Sequence, residues 1–115
     1  MTIQRVDAGQ RMSQLVAANG CAYISGQVAD DRNGSLEEQA TNILANIEKL
    51  LAKVGSDKSK LLKVDVYLAA IVDFSAFNAV YDDWIDPRNP PARVCSEARL
   101  ADPRIKVEIA AVALL

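Results

Sequence analysis

Arg93 and Glu108 are the two residues of this sequence whose type and position most strongly indicate chemistry. Arg93 is the second residue of the stretch ARVCSEA, which directly follows two prolines and whose pattern predicts a strand. A guanidinium presents a planar fork that binds a carboxylate through two charge-assisted hydrogen bonds. Glu108 lies in the apolar stretch KVEIAAVALL, where a partly desolvated carboxylate can orient a water or transfer a proton. The two residues predict a site that grips a carboxylate ligand beside an acid–base group.

Ordinary structural roles are the commoner explanation for residues of these types. Arg93 can form an ion pair with Glu108 or with Asp86, and structural ion pairs far outnumber catalytic ones. The two-residue period of a strand places Cys95 on the same face as Arg93. A neighbouring cation lowers the pKa of a thiol, whereas burial makes cysteine a small apolar residue. If the last two strands pair as a hairpin, Arg93 and Glu108 face the same cleft.

Three further residues are candidates for a ligand site. Ser25 and Gly26 end a predicted strand, and a glycine there permits close approach of a ligand to backbone N–H groups. A β-bulge or a turn needs glycine for the same conformational reason. Asn78 lies on a predicted helix, where it either makes a polar contact with the site or is simply solvated.

Composition argues against several classes of function. The chain of 115 residues suits a single domain, 1–115, and its net charge of −2 and lack of a basic stripe disfavour nucleic-acid binding. There is no histidine, which removes the usual base of nucleophilic catalysis and the commonest transition-metal ligand. The two cysteines, Cys21 and Cys95, match no metal-binding spacing, so we expect no metal site. With no signal-like segment and no apolar run of about 20 residues, we expect a cytoplasmic protein without membrane contact.

Strands and helices alternate in the pattern that must position these residues. Asn19-Gly20 predicts a hairpin turn between SQLVAA and CAYIS, with IQRVDA as a possible extra edge strand. The capping box Ser35-x-x-Glu38 and an apolar stripe predict a helix that ends at Gly55. In KLLKVDVYLAAI, alternation predicts a strand with Leu62 on its apolar face.

The second half of the chain completes the predicted architecture. A second helix, capped by Asp73 and ending at Asp86-Pro87, carries most of the scarce aromatic residues. Two strands, ARVCSEA and KVEIAAVALL, follow it. We therefore predict an α+β protein in which both helices pack on one face of a mixed sheet.

Taken in order, the stretches ISGQV, LLKVDVYLAAIVDFSAFNAVYDDW and PPARVCSEARLADPRIKVEIAAVAL resemble the reactive intermediate deaminase family (Rid, or YjgF-like). The resemblance covers residues 13–115. It implies a chorismate-mutase-like fold and a homotrimer in which three sheets surround a central β-barrel. In that assembly the helices lie outside and the active clefts lie between neighbouring subunits.

The same resemblance implies an activity, which is hydrolysis of imines and enamines to 2-keto acids and ammonia without metal or cofactor. Arg93 matches the family arginine that grips the substrate carboxylate, and Glu108 matches the glutamate linked to water activation or proton transfer. Other positions that match residues lining the family cleft are Ser25, Gly26, Asn78 and Cys95.

One segment departs from the family pattern. Relatives that act on simple imino acids usually carry G-P-Y-S here, whereas this chain has Gly9-Gln10-Arg11-Met12-Ser13. Met12 takes the place of the tyrosine and cannot donate a hydrogen bond. Arg11 adds a positive charge that either holds a second acidic group of the ligand or is solvated. The sequence thus predicts an imine or enamine deaminase, with a non-catalytic binding module or sensor for small carboxylic acids as the alternative.

Overall fold

Six strands and two α-helices follow one another in the order β-β-β-α-β-α-β-β along residues 2–115, the part of the chain that the computed structural model describes. The strands are β1 (Gln4–Ala8), β2 (Ser13–Ala18), β3 (Cys21–Gln27), β4 (Leu61–Leu68), β5 (Ala92–Glu97) and β6 (Val107–Leu114). The helices are α1 (Leu36–Ala52), between β3 and β4, and α2 (Phe74–Trp84), between β4 and β5. The extra strand predicted at the start of the chain is present as β1.

All six strands form one sheet in the order β1-β2-β3-β6-β4-β5. Every neighbouring pair is antiparallel except β4 and β5, which are parallel. The predicted mixed sheet and the α+β class are therefore confirmed. Pairing of the last two strands as a hairpin is wrong, because β4 lies between β5 and β6 and hydrogen-bonds to both.

Short-range signals in the sequence produce the local structure that they predict. Asn19 and Gly20 both have positive φ, 56° and 77°, as the tight β2–β3 turn requires. At the start of α1, the Ser35 side chain accepts from the Glu38 backbone N–H while the Glu38 carboxylate accepts from the Ser35 N–H. This reciprocal capping box satisfies two N–H groups that a helix end otherwise leaves unpaired.

Both helices cover the same face of the sheet and share one core with it. Along β6, alternate residues are buried against the helices: Val107, Ile109, Ala111 and Ala113. In β4 the buried series begins at Leu61, and Leu62 is 43% exposed, contrary to the sequence expectation. A register irregularity between Leu61 and Lys63 accounts for this difference, because one extra residue shifts the side-chain alternation.

The other face of the sheet also carries apolar residues, and no helix of residues 2–115 covers them. Tyr23, Val94 and Leu114 are each about half exposed, at 48%, 51% and 47%. The charged pair Lys63 and Asp65 of β4 lies between Val94 and the apolar residues of β3 and β6 on this face. Exposed large apolar residues that share a sheet face commonly mark a contact with another molecule. No helix in the described part of the chain is long and apolar enough to cross a membrane.

Candidate functional site

Arg93 is held in a fixed position by side chains of α2. It aligns with the buried Val64 of β4, so its side chain lies on the helix-covered face of the edge strand β5. One guanidinium nitrogen donates to Oδ1 of Asn78 at 2.8 Å. The guanidinium carbon lies 4.8 Å from the ring centre of Tyr81 and 5.9 Å from those of Phe74 and Phe77. Arg93 and these four residues, with Cys95, are called the arginine half-site below.

Arg93 has no acidic partner among residues 2–115: no carboxylate lies within 4.0 Å of its guanidinium. Asp86 is instead engaged by Asn89 and by Arg88, and these hydrogen bonds lower the pKa of Asp86. Neither ion pair proposed from the sequence therefore forms within one chain. Cation–π contacts contribute about 0.5–2 kcal/mol each. They orient the guanidinium but leave its charge and most of its donors available for an anion.

Cys95 behaves as a small apolar residue. It lies on the same face of β5 as Arg93, opposite the buried Val66, and packs against the core. Burial raises the pKa of the Cys95 thiol, and the charge of Arg93 opposes this rise without reversing it. The alternative that a neighbouring cation lowers this pKa is wrong, because desolvation is the larger effect.

Tyr81 is a site residue that the sequence indicated only as one of the scarce aromatic residues of the second helix. Its ring is the one nearest to the Arg93 guanidinium, and burial raises the pKa of its phenol. The phenol therefore stays neutral beside the cation near pH 7. Phe74, Phe77 and Tyr81 recur at steps of three and four, so their rings lie on one face of the helix. Such a row of scarce aromatic residues, followed by a strand with an arginine near its start, is the signal that would have predicted the aromatic cage, the three rings around the Arg93 guanidinium.

Glu108 lies on the opposite face of the sheet from Arg93. It aligns with Tyr67 of β4, and its neighbours Val107 and Ile109 point into the core. A Cβ on Gly26 would overlap a carboxylate oxygen of Glu108 and lie 3.0 Å from its Cδ. The register of β3 against β6 also shifts between Ile24 and Gln27, so the strand irregularity and the close approach coincide at this glycine. No hydrogen bond or ion pair to the Glu108 carboxylate is present within the described residues.

Ser25 and the Arg11–Met12 turn lie near the same end of the sheet. The Ser25 hydroxyl donates to the carbonyl oxygen of Ser13 at 2.7 Å and so ties β3 to β2. Met12 precedes Ser13 directly, and its carbonyl accepts from the Gly9 N–H at 2.8 Å. Met12 is 43% exposed. Glu108, Gly26, Ser25 and this turn are called the glutamate half-site below.

A single chain does not bring the two half-sites together. Arg93 and Glu108 lie two strands apart, about 10 Å at the usual strand spacing, and on opposite faces. Through β4, Arg93 aligns with Ala111, three residues or about 10 Å along the strand from Glu108. The expectation that both residues face one cleft is thus wrong for the isolated protomer.

Neither half-site has the features of a metal centre or of a closed cavity. Residues 2–115 contain no group of three or more His, Cys, Asp or Glu side chains placed to hold a metal ion. A surface cavity of about 680 Å³ is lined by Ala69 and by residues between Glu97 and Ile105, and includes neither Arg93 nor Glu108. Each half-site is an open surface whose charged group lacks a counter-ion.

Comparison with known proteins identifies the family. A family model described as endoribonuclease L-PSP matches residues 2–115. A RutC family protein of Haemophilus ducreyi is 42% identical over 113 residues, covering 98% of this chain and 97% of the relative. The mitochondrial protein mmf1 of Schizosaccharomyces pombe is 36% identical over 110 residues, covering 89% of this chain and 67% of the relative.

A solved structure agrees with the sequence matches. The crystal structure of a YjgF family member from Neisseria meningitidis has a TM-score of 0.95 and 38% identity, covering 99% of this chain and 95% of that one. This likeness extends over the whole sheet and both helices, and the resemblance drawn from the sequence motifs is thereby confirmed. The chain belongs to the endoribonuclease L-PSP family, the family of the YjgF, Rid and RutC proteins.

Proposed function

We propose that this protein is an imine and enamine deaminase that converts small carboxylate-bearing imines to 2-keto acids and ammonia. Membership of the YjgF and Rid family supports the proposal. The observation that carries it is Arg93, a guanidinium oriented by Asn78 and three aromatic rings and left without a counter-ion in the chain. A cation held in this way at a strand edge suits the carboxylate of an imino acid.

The proposed active unit is a homotrimer with a central β-barrel. The two half-sites are on opposite faces of one protomer, so a complete site needs the arginine half-site of one subunit and the glutamate half-site of its neighbour. The uncovered apolar face, with Tyr23, Val94 and Leu114, provides surface for contact between subunits. The trimer therefore accounts for the exposed apolar face and for the separation of Arg93 from Glu108 together.

In the proposed mechanism Arg93 binds the substrate carboxylate and fixes the imine carbon next to a water. Glu108 accepts a proton from this water as its oxygen attacks the imine carbon, and passes that proton to the imine nitrogen. In the resulting carbinolamine, Glu108 takes the hydroxyl proton and returns it to the nitrogen as the C–N bond breaks and the carbonyl forms, so imine and water yield keto acid and ammonia. An enamine first tautomerises to the imine, because its β-carbon gains a proton from solvent and its nitrogen loses one. Such substrates also hydrolyse spontaneously, so orientation and electrostatics suffice for catalysis.

The remaining site residues act through these two groups. Asn78 and Tyr81 orient the Arg93 guanidinium, and Cys95 fills space beneath it. Gly26 leaves room for the Glu108 carboxylate, since any side chain there would displace it. Neither a metal nor a cofactor takes part in the proposed reaction.

A non-catalytic binding module is the alternative function, and Met12 is the observation that favours it. Met12 has no hydrogen-bond donor at the position where relatives of the imine-hydrolysing type usually carry tyrosine. A cleft with Arg93 alone would still bind small carboxylic acids. Binding of a 2-keto acid without any turnover of imines would support this alternative.

The name of the matching family model describes ribonuclease activity, which fits this chain poorly. The net charge of −2 disfavours binding to a phosphate backbone, and the chain has no histidine to supply an imidazole for acid–base chemistry on it. RNA binding that weakens as the salt concentration rises would support a ribonuclease function after all.

The test is the release of ammonia and keto acid from imines generated in situ by an amino-acid oxidase. The wild type should accelerate hydrolysis, and Arg93→Ala should lower kcat/KM about 100-fold, because hydrogen bonds to a charged group contribute about 1.5–3 kcal/mol. Arg88→Ala is the matched control, since the side chain of Arg88 is 89% exposed and its one ion pair within residues 2–115 is with Asp86. A wild-type trimer that accelerates no carboxylate imine would overturn the proposal.

A further inference from the structure

Gln39 is a buried side chain of α1 whose amide group bonds to four backbone positions. It is 1% exposed. Its Nε2, whose two hydrogens are shared among three acceptors, donates to the carbonyl oxygens of Arg32 at 3.2 Å, Gly34 at 3.0 Å and Arg104 at 3.0 Å. Its Oε1 accepts from the backbone N–H of Lys106 at 3.0 Å. A buried amide with this many partners fixes the backbone around it, because every lost bond would leave a polar group without a partner.

These bonds join two loops that are far apart in sequence. Residues 28–35 lead from β3 to α1, and residues 98–106 lead from β5 to β6. Two further contacts cross the same gap: Arg32 to Asp102 at 3.2 Å, and Lys106 Nζ to the Gly34 carbonyl at 3.1 Å. Gln39 is the buried centre of this connection, while the other contacts lie nearer the surface.

The two loops are continuous with the strands that carry the glutamate half-site. Lys106, held by Gln39, lies two residues before Glu108, and β3 ends at Gln27, directly after Gly26. The Glu108 carboxylate has no hydrogen-bond partner of its own in the described part of the chain. The position of Glu108 therefore depends on the backbone of β6 and on its contact with Gly26.

We infer that Gln39 is a positioning residue that holds the start of β6, and with it Glu108, in the place that hydrolysis requires. Its catalytic consequence rests on the proposed function. The consequence is confined to the glutamate half-site, because Arg93 is held separately by α2. Loss of Gln39 should therefore affect kcat and leave carboxylate binding intact.

Asn42 offers a matched control on the same helix. It also holds the loop of residues 28–35, through its two hydrogen bonds with Asp30 at 2.8 and 3.2 Å. None of its hydrogen bonds within residues 2–115 reaches the loop that precedes β6. Asn42→Ala thus loosens the same loop without releasing Lys106.

The experiment compares Gln39→Met and Asn42→Ala with the wild type in steady-state hydrolysis of imines generated in situ, and in amide hydrogen exchange. We expect Gln39→Met to lower kcat about 10-fold or more with KM changed less than about 2-fold, since small displacements of a catalytic group carry large rate penalties. Exchange at residues 106–109 should become faster in Gln39→Met and stay unchanged in Asn42→Ala. Should Gln39→Met fail to fold, Gln39→Asn keeps the amide but retracts it by one methylene, and the same differences apply.

The outcomes separate this inference from the proposed function. Equal losses in kcat for Gln39→Met and Asn42→Ala, or an unchanged kcat in a folded Gln39→Met, would overturn the role of Gln39. A wild type that hydrolyses no imine defeats the proposed function instead. In that case the exchange rates at residues 106–109 alone decide whether Gln39 fixes the strand that carries Glu108, and unchanged rates overturn it.

Discussion

The arginine and glutamate half-sites fix their charged groups by different means. Arg93 is oriented by side chains, through one hydrogen bond to Asn78 and three aromatic rings of α2. Glu108 is positioned by backbone, through β6 and the space that Gly26 leaves beside it. One group lies on an edge strand and the other near the middle of the sheet. This difference agrees with the proposed function, in which Arg93 binds the ligand and Glu108 acts on a water.

The two half-sites share one property, which is uncompensated charge. Within residues 2–115, neither Arg93 nor Glu108 has an oppositely charged partner within 4.0 Å. Partly buried charges normally find partners, because desolvation without compensation is costly. Two such groups of opposite sign on opposite faces suggest that their partners come from outside the chain, as substrate or as a neighbouring subunit.

The largest expected effect is that of Glu108→Gln, which removes the acid–base group while preserving its shape. We expect kcat to fall about 100-fold or more with little change in KM, since general acid–base catalysis typically contributes 10²–10⁴-fold. Arg93→Ala should instead weaken binding of the 2-keto acid product, measured by calorimetry. If Glu108→Gln weakens keto-acid binding as much as Arg93→Ala does, the division between the half-sites is wrong.

Gly26→Ala tests whether the glutamate half-site is built on backbone space. The added Cβ would overlap the Glu108 carboxylate and force it to move. We expect kcat to drop about 10- to 100-fold. This loss is somewhat smaller than that of Glu108→Gln, because a displaced carboxylate keeps part of its catalytic function. Gly9→Ala is the control, since a Cβ there would meet its nearest atom, the Met12 carbonyl oxygen, at an ordinary 3.5 Å. Equal activity of both variants would contradict the assigned role of Gly26.

Cys95 should show the smallest effect. Because burial raises the pKa of its thiol, the thiolate is scarce at neutral pH and grows only as pH rises through that elevated value. In a Cys21→Ser background, alkylation of Cys95 by iodoacetamide should therefore be slow at pH 7 and accelerate above the ordinary thiol range. Cys95→Ala should keep hydrolysis within about 2-fold of the wild type, since the residue mainly fills space. Rapid alkylation at pH 7 would show that Arg93, and not burial, governs this thiol.

Local signals in the sequence predicted a good part of this fold. The capping box at Ser35 and the Asn19-Gly20 turn act over a few residues, so neighbouring residues determine them. Neighbouring residues do not determine the order of the strands, because that order depends on how α2 carries the chain from β4 to its parallel neighbour β5. The interpretation of β5 and β6 as a hairpin failed for this reason.

The candidate site, like the strand order, was only partly predictable, because part of it depends on segments that are distant in sequence. Residue types and the family resemblance identified Arg93, Glu108 and Asn78, and the Arg93–Asn78 bond agrees with a polar contact at this position. Strand alternation alone did not assign Arg93 and Glu108 to opposite faces, since the face of each strand follows from its register in the whole sheet. The aromatic cage and the role of Gln39 depend on contacts between distant segments, which a short motif does not encode.

Subunit mixing tests the central claim, that each complete site combines Arg93 of one subunit with Glu108 of its neighbour. Arg93→Ala and Glu108→Gln trimers should each be inactive alone. When the two variants are unfolded together and refolded as mixed trimers, we expect about a quarter of wild-type activity, because random assembly gives one intact pair in about four interfaces. Mixed trimers that stay as inactive as either parent would contradict a site shared between subunits.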